Sequence, residues 1–398
     1  MHKIIWGSIF FTLLACGCGK VDTSPDCILE EIREDISCLT GETIYWNHHP
    51  EHFEFSYYIL EILEAGLTEE TAVHIALINN RRLQAIYEDL GVGKAQLIQA
   101  GLLKNPVLPF SYLFSLKSKV SALIDIGIFQ NFLDILLIPL KKRVAETELE
   151  ATKMSVKSQI LEVIYQTRML FLTLQANQQN WELKKRELLA AELIYSVAER
   201  LLEAGNIWQL ELSQFRMQYE EMKIVVAEIE MGVIRTKEKL NQMMGLWGTE
   251  IDWSFCSCFP EILRHKETLQ EIENAAISQN LDLKIAHLDL LATAARFGVD
   301  TTRLIYPQLD VGIATEREDS VWYLGPAFVL PLPLFDWGRA NSALAQAEIC
   351  KRWNDYIALA IDIRSHARLA RFEYLNSLRQ INYYEHVLIP LAEVPYFE

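Results

Sequence analysis

Apolar and polar residues follow two different periods along this chain of 398 residues. Most of the chain has the three-to-four-residue spacing that predicts amphipathic helices. The first such stretch covers residues 67–101, with Thr68 placed to cap its start and Gly101 placed to end it. The Asn105-Pro106 pair that follows marks a break, because a helix rarely continues through the residue before proline.

The pattern changes to strict alternation in two places, which predicts four β-strands at about 106–116, 120–130, 307–315 and 321–331. Each strand has about ten residues and one apolar face, the length and pattern of a strand in an outer-membrane barrel. The residues predicted to face the membrane are Phe110, Tyr112, Phe114, Ile124, Ile126, Ile128, Leu309, Val311, Ile313, Trp322, Leu324 and Phe328. Two amphipathic hairpins packed on the helices of a soluble protein are the alternative interpretation.

Four strands are too few to close a barrel, and an open sheet edge is not tolerated in lipid. In a membrane, therefore, each chain would have to share a barrel with copies of itself. Three copies with four strands each would give a barrel of twelve strands.

A long helical pattern without proline or glycine runs over residues 141–203, and a second runs over 210–244. The first pattern carries two columns of residues spaced by seven positions. One column is Ile160, Thr167, Leu174, Trp181, Leu188, Tyr195 and Leu202, and the other is Met169, Ala176, Leu183, Ala190 and Val197. The offset of two residues places the columns on different sides of the helix. This helix is therefore expected to have a neighbour on each side, as in a ring of helices.

The second half of the chain repeats the pattern of the first half. Residues 275–298 align with the first helical stretch, and the matched pairs are Ala76 with Ala276, Asn80 with Asn280, Leu83 with Leu283, and Leu90 with Leu290. Strands follow in both halves, and then IPLKKR (138–143) and LPLFDWGR (332–339) each precede a long helix. The sequence thus predicts two repeats of helix, strand, strand and long helix, at 67–248 and 267–398, joined by 249–266.

The first fifteen residues have the features of an export signal. His2 and Lys3 precede a short apolar run, and the sequence LLAC (13–16) resembles the lipobox of bacterial lipoproteins. We therefore expect a signal peptide at 1–15, a lipid on Cys16, and an anchored segment without a sustained period at 16–66. A plain secretory signal is the alternative.

Composition and motifs exclude several kinds of function. The formal charge of −16 and the pI near 5.1 argue against a nucleic-acid partner. The histidine-rich run 47–52 favours a surface loop over a metal site, and Cys256 and Cys258 lack the second pair of ligands of a zinc site. Hydrolase, metalloprotease and nucleotide-binding motifs are absent from the sequence, so we expect no enzyme activity, no metal and no cofactor beyond the lipid.

Three segments resemble the TolC family of outer-membrane efflux proteins: residues 67–106, GLWG (245–248) and PLFDWGR (333–339). The resemblance implies a homotrimer that combines a shared twelve-stranded outer-membrane β-barrel with a periplasmic α-helical barrel. It also implies a passive exit duct in the outer membrane of a Gram-negative-type bacterium, within a tripartite efflux or secretion system. The partners would be a periplasmic adaptor protein, an inner-membrane transporter and outer-membrane lipid.

The resemblance places the first periplasmic helix tip at residues 204–209, with adaptor contacts on Gly205, Asn206, Ile207 and Gln209. The second tip and its returning helix are not found before residue 398, so the second repeat is expected to lack its last helix. The alternative function is a truncated, lipid-anchored periplasmic helical protein without channel activity. The sequence does not indicate a transported substrate.

Overall fold

A computed structural model describes residues 22–46, 53–114, 122–259, 268–305, 309–318, 321–330, 332, 334, 335 and 337–393. The helices are α1 (Asp26–Thr40), α2 (Phe53–Ala65), α3 (Glu69–Asn79), α4 (Arg81–Gly101), α5 (Phe132–Glu203), α6 (Gln209–Met244), α7 (Leu269–Gln279), α8 (Leu281–Ile305), α9 (Arg339–Tyr383) and α10 (Ile389–Glu393). The strands are β1 (Phe110–Leu113), β2 (Leu123–Asn131), β3 (Asp310–Glu318) and β4 (Val321–Val329). A 3₁₀ turn covers Gly248–Ile251, and a π-helical turn covers Tyr384–Leu388. The prediction of a mainly helical protein with a small β part is confirmed.

The chain forms two compact units, and each unit is assembled from separated segments. The sheet unit contains Glu88–Leu149 and Ala294–Ser342, with the described part of Met1–Glu31. The helical unit contains Ile32–Tyr87, Glu150–Thr293 and Ala343–Glu398 as far as residue 393.

The sheet unit holds one antiparallel sheet with the strand order β1-β2-β3-β4. The central pairing of β2 with β3 joins the two predicted strand pairs, and Ile128 stands opposite Ile313 in that ladder. A small core beside the sheet contains Leu133, Leu137 and Val144 of α5 and Val299 of α8. This core fixes the start of α5 against the sheet, where the Phe132 amide donates to the Leu309 carbonyl oxygen at 2.8 Å.

The helical unit has its own core, in which α3, α5 and α6 meet. The buried residues are Ile59, Leu63, Leu67, Ala72, Ile75, Ala76, Phe171, Leu174, Leu240, Met244, Leu246 and Trp253. The predicted cap at Thr68 is confirmed, since its side-chain oxygen accepts a hydrogen bond from the Thr71 amide at 3.2 Å. The core therefore depends on the apolar stripe that begins directly after this cap.

The single helix expected over 67–101 is wrong, because the structure has two helices that meet at Asn80. The Asn80 side-chain oxygen accepts from the amides of Arg82 (2.9 Å) and Leu83 (3.2 Å), which starts α4 anew. In the second half, the Asn280 side-chain oxygen accepts from the Leu283 amide at 2.8 Å and starts α8 in the same way. Asparagine favours such caps because its side chain competes with the helix for backbone amides.

Two further expectations on secondary structure need correction. Residues 16–66 show no sustained period in the sequence, yet they contain α1 and α2. Leu29, Ile32 and Ile36 of α1 are buried at helical spacing, a pattern too short to stand out in a polar segment. Helix α5 begins at Phe132 instead of 141, and Pro139 lies inside it.

The predicted strand limits shift by a few residues. The structure begins β3 at Asp310 and extends it to Glu318, and β4 ends at Val329. The described part of the first strand region is in β conformation at Phe110–Leu113, and residues 115–121 lie outside the described part of the chain.

Candidate functional site: a sheet face, two helix columns and a helix tip

The predicted apolar residues of the four strands share one face of the sheet, on which Gln130, Thr315 and Arg317 also lie. The ladders place Phe110 opposite Ile126 and Tyr112 opposite Ile124. They also place Ile128 opposite Ile313, and Val311 opposite Phe328. Since paired residues in a ladder point to the same side, all of these side chains share one face. Trp322 and Leu324 belong to it as well, through their pairing with Arg317 and Thr315.

Much of this apolar face is open to its surroundings in the single chain. Leu324 is 74% exposed and Phe328 is 67% exposed. Phe110, Tyr112, Ile128, Val311, Ile313 and Trp322 are exposed too, while Ile124 and Ile126 are half-buried. An apolar surface of this extent marks an interaction with lipid or with another protein.

The opposite face of the sheet carries small and polar residues over most of its area. It includes Ser111, Asp125, Gly127, Asn131, Asp310, Gly312, Ala314, Glu316, Gly325 and Ala327. Phe129 and Tyr323 also lie on this side, and Leu113, Leu123, Val321 and Val329 lie on it near the strand ends. The centre of this face is therefore less apolar than the centre of the opposite face, as the alternation in the sequence predicts.

Two of the twelve predicted membrane-facing residues lie outside the ladders. Leu309 precedes β3 and packs on the core formed by Leu133, Leu137, Val144 and Val299. Phe114 follows β1 and is exposed. Leu309 therefore takes part in anchoring the sheet to α5 and α8.

Sequence reasoning missed an arginine at the loop end of the apolar face. The Arg317 guanidinium lies 5.8 Å from the centre of the Trp322 ring, in a cation–π arrangement. Tyr112 occupies the same end of β1. Aromatic residues and arginine together are typical of the border between membrane and water.

The predicted helix tip is a tight connection between α5 and α6. Gly205 has φ +77°, and its amide donates to the Leu202 carbonyl oxygen at 2.9 Å. The Asn206 amide donates to the Leu201 carbonyl oxygen at 2.8 Å. These two bonds form a Schellman motif, which ends α5 and needs a left-handed residue where Gly205 stands.

The tip also presents a large aromatic residue that sequence reasoning missed. Trp208 is 80% exposed, although its amide donates to the Glu211 carboxylate at 3.0 Å and so starts α6. Gly205, Asn206 and Gln209 are exposed, and Ile207 is half-buried. The tip is therefore a rigid turn with an exposed indole, which is an enriched residue type at protein interfaces.

The two columns of α5 differ in burial. Ile160, Thr167 and Leu174 of the first column are fully buried, and the rest of that column is half-buried. All five residues of the second column are exposed: Met169, Ala176, Leu183, Ala190 and Val197. The first column faces α6, as illustrated by the stacking of Tyr195 on Tyr219 with ring centres 5.9 Å apart.

Helix α6 has a similar arrangement, which sequence reasoning did not identify. Its side toward α5 includes the buried Thr236, whose hydroxyl accepts from the Asn177 amide at 3.0 Å. Its other side carries an exposed column at seven-residue spacing: Leu210, Met217, Ile224 and Met231. Each helix of the pair therefore has one partnered side and one exposed apolar column.

The loop that holds Cys256 and Cys258 is fixed to α5 through its backbone. The Gln175 amide donates to the carbonyl oxygens of Cys256 (2.8 Å) and Cys258 (2.9 Å), and the Gln179 amide donates to that of Ser257. A hydrogen bond from the Cys258 side chain lowers the pKa of the exposed Cys256 thiol.

Some predicted features lie outside the residues that the structure describes. Cys16 and the histidine-rich run 47–52 are outside the described residues. Within the described part of the chain, no three His, Cys, Asp or Glu side chains come together as a metal site would require. None of the described helices has the length and hydropathy of a membrane-spanning helix.

Comparison with known proteins finds similarity to solved structures and none to family models or curated sequences. No protein-family model matches the sequence, and no curated protein matches it. Among solved structures, CusC is similar with a TM-score of 0.62 and 18% identity over 85% of this chain and 83% of that chain. The Campylobacter jejuni CmeC outer-membrane channel has a TM-score of 0.62 and 19% identity, covering 82% of this chain and 76% of its own.

The outer-membrane protein VceC of Vibrio cholerae has a TM-score of 0.57 and 15% identity, over 82% of this chain and 83% of that chain. The similarity in each case covers most of both chains. These structural neighbours are TolC-family outer-membrane channels, as the sequence resemblance predicts, and the chain described here has their fold.

Proposed function

We propose that this chain is one protomer of an outer-membrane channel that acts as the passive exit duct of a tripartite efflux or secretion system. The observation that carries this proposal is the exposed, largely apolar face that the four strands share. Burial of each large side chain on that face is worth about 1.5–3 kcal/mol, and lipid provides such burial where water does not.

The two edge strands of the sheet support a shared barrel. β1 and β4 lie at the ends of the strand order, so each has one side without a partner strand in the described chain. Unsatisfied backbone groups at membrane depth cost several kcal/mol each, so these edges need partner strands. In a homotrimer, β1 of one copy would pair with β4 of the next, and twelve strands would close the barrel.

The exposed helix columns support the same assembly. In a ring, the exposed column of α5 in one protomer meets a helix of the next protomer, while the buried column stays within its own chain. We infer a periplasmic helical barrel built from two repeats per chain. The shared order of helices and strands in the two halves supports this repeat.

The helix tip is proposed as the docking site of a periplasmic adaptor, with Gly205, Asn206, Ile207 and Gln209 in contact. The rigid turn and the exposed Trp208 support this role. The adaptor would connect the duct to an inner-membrane transporter. We further propose that the protein is located in the outer membrane and carries a lipid on Cys16.

The proposal is tested by asking which face of the sheet meets lipid. Ile313 and Ala314 are neighbours in β3 that point to opposite faces. In a variant that keeps only Cys16 among its cysteines, Ile313→Cys or Ala314→Cys is labelled with a fluorophore in outer-membrane vesicles. Brominated lipids should quench the label at 313 several-fold more than the label at 314. Equal quenching at both positions, or none at either, would overturn the membrane assignment.

A further inference from the structure

Two cysteines lie on the outer side of the loop that follows the 3₁₀ turn in the helical unit. Cys256 and Cys258 are exposed, whereas Phe255 and Ser257 are half-buried. This alternation is typical of an extended segment, in which residues two positions apart point to the same side. The two cysteine side chains therefore project together from one side of the loop, and neither thiol is in a disulfide.

The inner side of the loop is anchored to the core of the helical unit. The Phe255 ring lies 6.2 Å from the Phe171 ring and 5.9 Å from the buried Trp253 ring, measured between ring centres. The Leu67 amide donates to the Ser254 carbonyl oxygen at 2.8 Å. The residues that lead into the cysteine pair are therefore held in place by packing and by a backbone hydrogen bond.

Helix α5 fixes the backbone of the cysteine pair itself. The side-chain amides of Gln175 and Gln179 bind the carbonyl oxygens of all three residues of the Cys-Ser-Cys segment 256–258. Gln175 is 5% exposed, so its two bonds are shielded from competing water. A segment held in this way has little freedom left to lose when a ligand binds to its side chains, and such preorganisation favours binding.

The two sulfur atoms are within hydrogen-bond reach of each other. The Cys258 amide donates to the Cys256 sulfur at 3.4 Å, and the Cys258 thiol donates to the same sulfur. These bonds stabilise the thiolate and lower the pKa of Cys256. The thiolate is the form of cysteine that binds metal ions, so the pair offers one sulfur that deprotonates readily and a second sulfur beside it.

Two neighbouring sulfurs suit a soft ion that needs few ligands. Zinc takes four protein ligands in a structural site, and among the described residues no third His, Cys, Asp or Glu side chain joins the pair. Thiolates are soft ligands that select Cu(I) over hard cations such as magnesium or calcium. Cu(I) carries a single charge and a full d shell, and two thiolates are enough to bind it.

We infer that Cys256 and Cys258 form a binding site for one soft monovalent cation, Cu(I), held between their two sulfur atoms. Binding replaces both thiol protons, so two protons leave as one cation enters and the site gains one negative charge. No electron is transferred in this step. The inference departs from the sequence prediction of no metal, which rested on the four ligands of a zinc site. It does not depend on channel activity.

Competition for Cu(I) between a coloured chelator and the full-length, reduced protein in detergent, with oxygen excluded, tests the inference. The protein should bind one Cu(I) per chain. Cys256→Ser and Cys258→Ser should each weaken binding by about a hundred-fold, because the second sulfur no longer binds within the same molecule. The matched control is Cys350→Ser, which removes an exposed thiol of α9 and should bind like the wild type. Unchanged circular dichroism confirms that each variant is folded.

X-ray absorption at the copper edge provides the second measurement and should show two sulfur neighbours around the ion. Absence of binding would overturn the inference, and so would an equal loss of affinity in Cys350→Ser. One ion shared by two chains, or three or more ligands around the ion, would assign the copper to a different site and overturn it too. The membrane labelling at residues 313 and 314 is unaffected by each of these outcomes.

Discussion

Phe129 stands directly opposite Gly312 in the β2–β3 ladder, and its ring covers the space that a side chain at 312 would need. A Cβ at position 312 would lie 2.8 Å from Phe129 Cδ1 and even closer to the Ile128 carbonyl oxygen. Gly127 lies against the same ring, since a Cβ at position 127 would be 3.3 Å from Phe129 Cδ2. The aromatic ring and the two glycines together fix the centre of the sheet.

Gly312→Ala is therefore expected to destabilise the pairing of β2 with β3. Overpacking of this kind costs about 1–3 kcal/mol, because the backbone itself must move. The fraction of protein that stays assembled in outer membranes on heating in mild detergent measures the effect. Gly325→Ala in β4 is the matched control, since nothing lies within 4 Å of a Cβ at that position. Equal loss of assembly in both variants would show that the space at 312 is not the cause.

The exposed column of α5 is predicted to hold copies of the chain together. Leu183→Glu should abolish the oligomer without changing the helical circular dichroism, because Leu183 is 53% exposed within the single chain. Leu189→Glu is the control, since Leu189 is 57% exposed and directly precedes Ala190, about 100° away from the column around the helix. Sedimentation velocity in detergent should separate the two variants. Oligomers of equal mass in both would exclude this column from the interface.

Asn80 is expected to contribute more to stability than Asn280. Both side chains cap a helix, but Asn80 also donates to the Met243 carbonyl oxygen of α6. Asn80→Ala should therefore lower the free energy of unfolding by about 1–3 kcal/mol, whereas Asn280→Ala should cost only the cap, roughly 1 kcal/mol. Urea unfolding followed by circular dichroism provides the comparison. A larger loss for Asn280→Ala would contradict the assignment.

The two thiols of the fixed loop are predicted to differ in reactivity. The hydrogen bond from the Cys258 side chain lowers the pKa of Cys256, whereas the Cys256 side chain raises the pKa of Cys258. Since the thiolate is the nucleophile, iodoacetamide at neutral pH should alkylate Cys256 first. Mass spectrometry of the peptide after short reaction times resolves the two sites. In Cys258→Ala, which has no side-chain donor, Cys256 should react more slowly; an unchanged rate would argue against the hydrogen bond.

Trp208 at the helix tip is predicted to be a major contact of the adaptor. Trp208→Ala should weaken adaptor binding by at least ten-fold, because exposed tryptophans often dominate the energy of interfaces. Trp247 is the control, since it is equally exposed and lies far from the tip along the chain. Binding of a purified adaptor to the immobilised full-length protein measures both variants. Equal affinity of Trp208→Ala and Trp247→Ala would remove Trp208 from the docking site.

Strong periodicity in the sequence predicted the parts of the molecule on which the proposed function depends. Ten of the twelve residues expected on one sheet face lie on it, because alternation fixes the side of every residue once a strand forms. Whether that face meets lipid stays a prediction. The Gly205 turn is predicted equally well, since a glycine that ends a long helix can adopt the left-handed backbone conformation that the turn needs.

Other features could not be predicted from the sequence, because the patterns that produce them are short or depend on local contacts. Helix α1 buries Leu29, Ile32 and Ile36 within a polar stretch, so its period covers too few residues to be distinctive. The break at Asn80 depends on a side-chain cap that a hydrophobic pattern does not reveal. The exposure of Trp208 depends on the contacts around the turn that precedes α6, and residue spacing does not reveal these contacts.

The mass of the intact protein, extracted from outer membranes in mild detergent and measured natively after cross-linking, distinguishes a shared barrel from a single chain. We expect a homotrimer, because four strands per chain close a barrel only when they are shared. A monomer, or a protein released from the membrane once its lipid is removed, would contradict the channel and favour a lipid-anchored helical protein.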